Sequence, residues 1–415
     1  MVEIKPFTGI TYNPQQIKEI EKVIAPPYDV INPAQQEMFY QRDPHNIIRL
    51  ILGKEGTGPK DSESLRTPRR DSGQDNKYTR AAETFRKWLS EGILVKANQP
   101  AVYAVREECE IQGKKQRRTG FIALLKVADY GNGVYPHEKT HNEAIVDRTL
   151  LLDACHASFD QIFMIYDDPS QRVDKILKPA MESPPLISLV DEEGVKHELW
   201  EVADQAPEIC GLMRDTKAII ADGHHRYETA RRYTQEPYTP VYFANTAGDF
   251  IVMPIYRLFH KVAKLDFSKV NDLFVLKECG SAKELLSELE KSKHSSAFGF
   301  LSQDSRALLT LKDRTTPLKL IKGDNPPEWK QLDVTVLHKL LLPKLGVSER
   351  DNISYTVKLE EAEEKLANGE AELAVLLNPT RVEQVEHIAL SGNVMPQKST
   401  FFYPKLLSGL VLREF

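Results

Sequence analysis

Strand-like and helix-like segments are interleaved along this chain, and this interleaving limits the folds that it can adopt. Residues 101–111 and 119–127 have strand patterns on either side of Gly113-Lys114, which predicts a hairpin. Other strands are separated by helix patterns, as after the apolar run 159–166. Hairpins need antiparallel pairing, whereas helical crossovers permit parallel pairing. The sequence therefore predicts an α+β fold with mixed sheets and flanking helices.

Length and charge narrow the class of protein further. The chain has 415 residues, more than one average domain, and carries 55 basic against 60 acidic residues. This balance predicts no nucleic-acid partner, and no apolar run is long enough to predict a membrane span. The N-terminus lacks a secretory signal and the four cysteines are scattered, so we expect a cytoplasmic protein with reduced thiols. The sequence does not decide between a monomer and a homo-oligomer.

The pattern suggests two lobes. We predict an N-terminal lobe over residues 1–265 and an α+β C-terminal lobe over 266–415, whose tail 393–415 could return to the site. The polar stretch 53–77 has no apolar periodicity and is predicted to be a mobile surface insertion. Pro26-Pro27 predicts a rigid extended segment, and the apolar residues of 45–52 predict a buried strand.

The sharpest local feature is a strand-to-helix turn after the apolar run 217–221. A helix N-terminus offers free backbone N–H groups and a positive dipole end. Glycine lets the backbone approach a ligand closely, and an arginine fork matches a phosphate. The turn is therefore predicted to hold a phosphate group, and a helix capped by its aspartate with two surface histidines is the alternative. The predicted phosphate ligands are Asp222, Gly223, His224, His225 and Arg226.

A second polar segment matches the H-E-x-x-H pattern through His137, Glu138 and His141. On a helix, this spacing places both imidazoles on one face for zinc, with the glutamate as general base. Here the segment lies at the start of a predicted helix, its flanks are polar, and no third histidine follows at metzincin spacing. We favour His137 and Glu138 as catalytic or metal-binding groups in one site with the phosphate turn. A purely structural helix start is the alternative.

Two further segments contain candidate substrate ligands. Arg148 follows Asp147 on the helix after the H-E segment. Because residues i and i+1 do not face each other, we expect the pair to find other partners, either solvent or a substrate carboxylate. Near the C-terminus, three adjacent residues either hold phosphate oxygens or belong to a packed tail: Lys398, Ser399 and Thr400. Walker, dinucleotide-binding and nucleophile-elbow glycine motifs do not occur in the sequence, which argues against those enzyme classes.

Short segments spread over nearly the full chain resemble the landmarks of the domain-of-unknown-function family 1015. They are Pro6-Phe7, Ala25-Pro26-Pro27-Tyr28-Asp29-Val30, His137-Glu138-Lys139-Thr140, Asp147-Arg148, Ala221-Asp222-Gly223-His224-His225-Arg226-Tyr227 and Met395-Pro396-Gln397-Lys398-Ser399-Thr400. The resemblance implies that the His, Glu and Thr of the H-E segment matter. Thr140 therefore joins the substrate-binding candidates, and His141 becomes incidental. It also implies that 53–77 is an insertion.

The phosphate turn is also similar to the G-x-x-R-x-x-A signature of the ParB/sulfiredoxin-like superfamily. Gly223 and Arg226 have the family spacing, and Ala230 is displaced by one residue. The similarity implies a nucleotide-binding core of that fold with a second α/β lobe. One branch of the superfamily, the free serine kinases, has a similar Asp-Gly-His-His-Arg turn and phosphorylates L-serine itself.

These resemblances imply an enzyme, a nucleotide-dependent phosphotransferase that acts on a small hydroxylated metabolite. The leading reaction is the conversion of free L-serine to O-phosphoserine, with ATP or ADP as donor and Mg²⁺ as cofactor. Glu138 would be the general base or a Mg²⁺ ligand, and Asp222 a Mg²⁺ ligand or a helix cap. Two alternatives stay open: a zinc metallohydrolase built on the H-E segment, and a non-catalytic nucleotide sensor.

Overall fold

This computed structural model describes residues 1–55, 76–111, 113–260, 262, 265–347 and 353–415. Their chain forms two compact units, Met1–Phe250 with Pro404–Phe415 and Ile251–Tyr403. The sequence prediction placed the division at residue 265 and left the return of the tail open. Most of the predicted insertion 53–77 lies outside the described residues.

The described residues of the first unit form twelve labelled strands, seven α-helices and a further short strand near the end of the chain, Arg413–Glu414. The strands are β1 Ile4–Lys5, β2 Ile10–Tyr12, β3 Leu94–Lys96, β4 Val102–Ile111, β5 Lys114–Lys126, β6 Val134–Tyr135, β7 Ala157–Ser158, β8 Ile162–Tyr166, β9 Ile187–Val190, β10 Lys196–Val202, β11 Ala218–Asp222 and β12 Tyr238–Asn245. The helices are α1 Pro33–Arg42, α2 Ile48–Ile51, α3 Lys77–Ser90, α4 Asn142–Cys155, α5 Arg172–Ala180, α6 Ala206–Met213 and α7 His224–Arg232.

A mixed nine-stranded sheet organises this unit. Its order is β6-β11-β8-β12-β5-β4-β10-β9, and β1 also pairs with β5. The β12–β8 and β11–β6 pairs are parallel, whereas the other pairs are antiparallel, including the predicted β4–β5 hairpin. This arrangement confirms the α+β class with mixed sheets. It places the end of β11 close to β8, and this end begins the candidate site.

The N-terminal segment differs in part from its prediction. Pro27 has extended backbone, as predicted, and is followed by a 3-10 turn, Tyr28–Val30. The predicted strand at 45–52 is wrong, because Ile48–Ile51 forms the short helix α2. The buried amide of Asn46 accepts from the backbone N–H of Ile48 at 2.9 Å and donates to the carbonyl of Lys22 at 2.7 Å. A short apolar run fits a buried strand or a buried helix equally well, and its periodicity alone does not distinguish them.

The last twelve residues of the chain complete the first unit. Ser408 exchanges two backbone hydrogen bonds with Ala25, and Leu412 exchanges two with Ile10. The terminal strand pairs with β7. Leu412 is buried in the same apolar cluster as Phe39, Phe85 and other residues of the N-terminal helices. The tail therefore lies within the core of the unit and fixes the position of Lys405.

The second unit has its own sheet and its own cores. The strands are β13 Ile251–Val252, β14 Tyr256–Phe259, β15 Phe274–Glu278, β16 Ala297–Leu301, β17 Arg306–Leu311, β18 Ile353–Thr356, β19 Leu373–Leu377 and β20 Phe402–Tyr403. Six form an antiparallel sheet in the order β15-β17-β16-β19-β14-β18, and β13 pairs with β20. The helices are α8 Ala282–Lys291, α9 Thr316–Leu320, α10 Pro327–Lys330, α11 Asp333–Val336, α12 Leu342–Leu345, α13 Leu359–Ala367 and α14 Val382–Leu390; the 3-10 turn Phe267–Val270 and the π-helix Leu337–Leu341 also occur.

Candidate functional site

The candidate site begins where β11 ends and α7 starts. Gly223 is the N-cap of α7 with a left-handed φ of 86°, and no side chain among the described residues caps the helix. A Cβ atom at Gly223 would lie 2.9 Å from Nε of Arg226, so the turn needs glycine for its backbone and for its space. The first N–H groups of α7 have no partner within the helix, and they lie at its positive end. The predicted strand–turn–helix is thus confirmed as local structure.

Two cations hold the carboxylate of Asp222. Nη2 of Arg226 lies 3.0 Å from Oδ2, and Nζ of Lys405 lies 2.8 Å from Oδ1. Burial alone would raise the pKa of Asp222, but Lys405 and Arg226 outweigh it and lower the pKa to about 2. Both carboxylate oxygens are therefore engaged. The alternative role for Asp222, a helix cap, is wrong, because Gly223 occupies the N-cap and no described side chain caps the helix.

Arg226 is fixed from two sides. Besides its contact with Asp222, its Nη1 donates to the backbone carbonyl of Gln161. Its Nε is buried and has no hydrogen-bond partner among the described residues. Such an unpaired donor in the first turn of a helix is suited to an oxygen of a bound anion.

The two histidines of the turn hold the H-E segment against α7. Nε2 of His224 accepts from the backbone N–H groups of His137 at 3.2 Å and Glu138 at 3.3 Å. Nε2 of His225 accepts from the backbone N–H of His141 at 2.9 Å, and those two rings stack with centroids 5.9 Å apart. The imidazoles thus act as clamps that hold residues 137–141 beside the turn. The sequence analysis favours one site for the two segments, but it does not indicate these backbone contacts.

Burial keeps this clamp neutral. Nδ1 of His137 donates to the carbonyl of Ile220 at 2.6 Å, and burial lowers the pKa of this histidine to about 4. Burial also lowers the pKa of His224 and, with a contribution from neighbouring His141, that of His225. In His224 and His225, Nε2 accepts a backbone N–H. The proton of each of these neutral rings must therefore lie on Nδ1.

The clamp fixes the backbone of Glu138 next to the first turn of α7. Its side chain is half-buried, as is that of Thr140 two residues later. The segment 137–141 is irregular, and α4 begins only at Asn142. The geometry that a zincin requires, two histidines one helical turn apart, is therefore absent here. In the described part of the chain no cluster of three or more His, Cys, Asp or Glu side chains could hold a metal ion.

Two site residues were not among the sequence candidates. Lys405 reaches Asp222 from the C-terminal tail. Asp29 is accessible to solvent, yet the surrounding protein and the nearby Asp222 raise the pKa of its carboxyl. Asp29 lies in one of the segments that resemble family 1015, and Lys405 follows another such segment by five residues. Nothing local in the sequence indicates that they meet α7.

Arg148 differs from its prediction. Its Nε lies 2.9 Å from Oδ2 of the adjacent Asp147, and its Nη1 donates to the carbonyl of Ile51 at 2.8 Å. Its guanidinium also lies over the ring of Tyr28, 4.0 Å from the centroid. The expectation that neighbouring residues would not pair is wrong, because the long arginine side chain curls back when both groups are partly buried. Arg148 also lines a cavity of about 50 Å³ between α4 and α7, together with Asp160 and Arg226.

Lys398, Ser399 and Thr400 belong to the second unit. Lys398 has a left-handed φ of 57°, and its carbonyl accepts from Nη2 of Arg257 at 2.8 Å. The carbonyl of Ser399 accepts from the hydroxyl of Thr380 at 2.7 Å. These bonds fix the backbone of the segment within its unit. Its role in substrate binding stays a prediction.

Together, fold and site define an α+β protein with an uncapped helix N-terminus beside a clamped glutamate. The chain belongs to DUF1015, a family described as proteins of unknown function, whose model matches residues 4–335. A search of curated proteins found no match to this chain. Among the described helices, none combines the length and the apolar composition that crossing a membrane would require.

Several solved structures are weakly similar to this chain. A free serine kinase in complex with AMP is 14% identical with a TM-score of 0.35, over 69% of this chain and 88% of the other. A conserved hypothetical protein from Pyrococcus furiosus is 13% identical with a TM-score of 0.32, over 68% and 90%. SbnI from Staphylococcus aureus, with a C-terminal truncation, is 10% identical with a TM-score of 0.36, over 69% and 85%.

Proposed function

We propose that this protein is a nucleotide-dependent phosphotransferase for a small hydroxylated metabolite, with free L-serine as the first acceptor to test. One observation carries the proposal. The uncapped N-terminus of α7, with the unpaired Nε of Arg226, lies beside a glutamate whose backbone His224 holds to the same turn. The choice of L-serine rests on the resemblance of this turn to that of the free serine kinases.

Phosphoryl transfer needs positioning and charge neutralisation more than covalent chemistry. In our proposal the N–H groups of α7 and the guanidinium of Arg226 bind the phosphates of ATP or ADP. Glu138 accepts the proton of the acceptor hydroxyl, so that the oxygen can attack the terminal phosphorus of the donor. The bond from that phosphorus to the bridging oxygen breaks, and ADP leaves when ATP is the donor, or AMP when ADP is the donor. His224, His225 and His137 hold Glu138 in place. Thr140 is the nearest predicted substrate ligand along the chain.

Magnesium fits this site only in part. Both oxygens of Asp222 already contact cations, so we do not retain Asp222 as a metal ligand. Of the predicted pair, Glu138 is the carboxylate left to hold Mg²⁺, and this role is the alternative to its role as general base. When bound with the nucleotide, Mg²⁺ would neutralise phosphate charge, and it is held largely by phosphate oxygens and water in such sites.

The test is phosphorus NMR of the purified protein with Mg²⁺, L-serine and either ATP or ADP. We expect a new phosphomonoester signal that Glu138→Gln abolishes, because the amide cannot accept the proton. Nucleotide binding, measured by calorimetry, should survive in that variant. The matched control is Glu143→Gln, an exposed glutamate in the first turn of α4.

The outcomes separate the candidate functions. Turnover retained in Glu138→Gln would remove Glu138 from the mechanism. No signal with L-serine but turnover with another hydroxylated acceptor would replace only the acceptor. Nucleotide binding without turnover across a broad acceptor panel would favour the sensor instead.

A further inference from the structure

The second unit contains a separate cavity of about 140 Å³. It is lined by Arg314, Glu328, Gln331, Arg381, Gln384, His387 and Ile388. Arg381 is the N-cap of α14, and Gln384, His387 and Ile388 follow on that helix. Spacings of three and four residues place these side chains on one helical face. The cavity is thus built by α14 on one side and by Arg314 with the end of α10 on the other.

The two arginines are held in place without a carboxylate partner. Oε1 of Gln384 accepts from the backbone N–H of Arg381 at 3.0 Å and lies 3.5 Å from its Nε. Nη1 of Arg314 donates to the carbonyl of His294 at 2.8 Å, and Gln331 donates to the carbonyl of Arg314 at 3.0 Å. Among the described residues neither guanidinium lies within 4.0 Å of a carboxylate. Both side chains are exposed, so most of their N–H donors face solvent and could be offered to a ligand.

The charges of the two arginines converge within the unit. Burial raises the pKa of Asp333 to about 6, and both Arg314 and Arg381 act against that rise. Glu328 supplies the single carboxylate of the cavity lining. The cavity lining itself carries two guanidiniums and one carboxylate, whereas Asp333, which is not among the lining residues, offsets part of their charge. The hydrogen-bond donors of the two guanidiniums, more than net charge, therefore suit this concave surface to an anion.

We propose that this cavity binds a phosphate group, either as inorganic phosphate or as a phosphomonoester of a small metabolite. Two arginine forks, two amides and an imidazole supply donors from several directions, which suits a tetrahedral anion better than a flat carboxylate. The volume is below that of pockets for drug-sized ligands, so the ligand is small. The proposal is independent of the phosphotransferase site in the first unit.

Trp329 provides a local probe for the test. It lies on α10 next to Glu328, and its indole N–H donates to the carbonyl of Val394 at 2.9 Å. The full-length protein would be labelled with fluorotryptophan, and the fluorine signal of Trp329 assigned with Trp329→Phe. Titrations with inorganic phosphate and with glycerol phosphate compare the two possible sources of the phosphate group. A titration with sodium chloride at equal ionic strength shows how much of the response is only screening by salt.

We expect the Trp329 signal to shift with phosphate and to saturate. Arg314→Gln and Arg381→Gln should each weaken binding roughly tenfold or more, as expected for lost charge-assisted hydrogen bonds. Glu328→Gln should strengthen binding, and the exposed control Lys322→Gln should not change it. An equal response to chloride, or unchanged affinity in both arginine variants, would overturn the proposal. Tighter binding of one phosphate source would identify the ligand.

Discussion

At the scale of single residues, Gly223 is a position in the candidate site that tolerates little change. Its φ of 86° costs an alanine roughly 1–2 kcal/mol, and the added Cβ would also press on the guanidinium of Arg226. We therefore expect Gly223→Ala to destabilise the protein and to weaken nucleotide binding. Gly194→Ala is the matched control, because its φ of 79° has the same backbone cost while its Cβ meets no described atom within 4 Å. Urea unfolding and calorimetry measure both effects. Equal losses in the two variants would show that the contact with Arg226 is unimportant.

Residue types predicted the turn, but they did not predict its partners. Strand residues, glycine and a basic helix start are local signals, and the structure has the turn where they indicate. Lys405 lies 183 residues from Asp222 in sequence, so only the completed fold brings the two together. Arg148 shows a different failure of local rules. The rule that adjacent helical residues do not face each other predicts no contact with Asp147, but the long arginine side chain makes one. Local rules describe backbone better than they describe flexible, partly buried charges.

At the scale of elements, the histidine clamp predicts how stability depends on pH. The pKa values of His137, His224 and His225 are all lowered in the fold. Below the unfolded pKa of about 6.5 the unfolded chain binds protons that the folded clamp does not, so folding stability falls as the pH drops. For His137 the loss extends from about 6.5 down to about 4, the folded pKa. Thermal unfolding across this range should show the decline.

The variant His224→Gln isolates the clamp from other acid effects. A glutamine oxygen can still accept the N–H groups of the H-E segment, but it does not titrate in this range. We expect the variant to fold and to lose less stability than the wild type between pH 6.5 and pH 4. The exposed His294→Gln in the second unit serves as control. A pH slope that is identical in all three proteins would exclude His224 as a source of the decline.

At the scale of the whole molecule, the α+β class followed from the sequence because hairpins and crossovers leave different local patterns. The return of the chain to its first unit did not follow, since a tail that pairs with Ile10 and Ala25 resembles any short apolar segment. The pairing of the tail with Ile10 and Ala25 forms only when the core of the first unit is packed. Removing the tail therefore tests whether this unit can fold without that pairing.

Ending the chain after Tyr403 should unfold the first unit. The truncation removes five buried apolar side chains, Leu406, Leu407, Leu410, Val411 and Leu412. Each contributes about 1.5–3 kcal/mol, and a typical domain has only about 5–15 kcal/mol of net stability. The second unit keeps its own cores. Fluorine signals of Trp88 and Trp200 should therefore lose their dispersion while that of Trp329 keeps it. If all three signals stay dispersed, the first unit folds without the tail. The ion pair between Lys405 and Asp222 is then not needed for the site to fold.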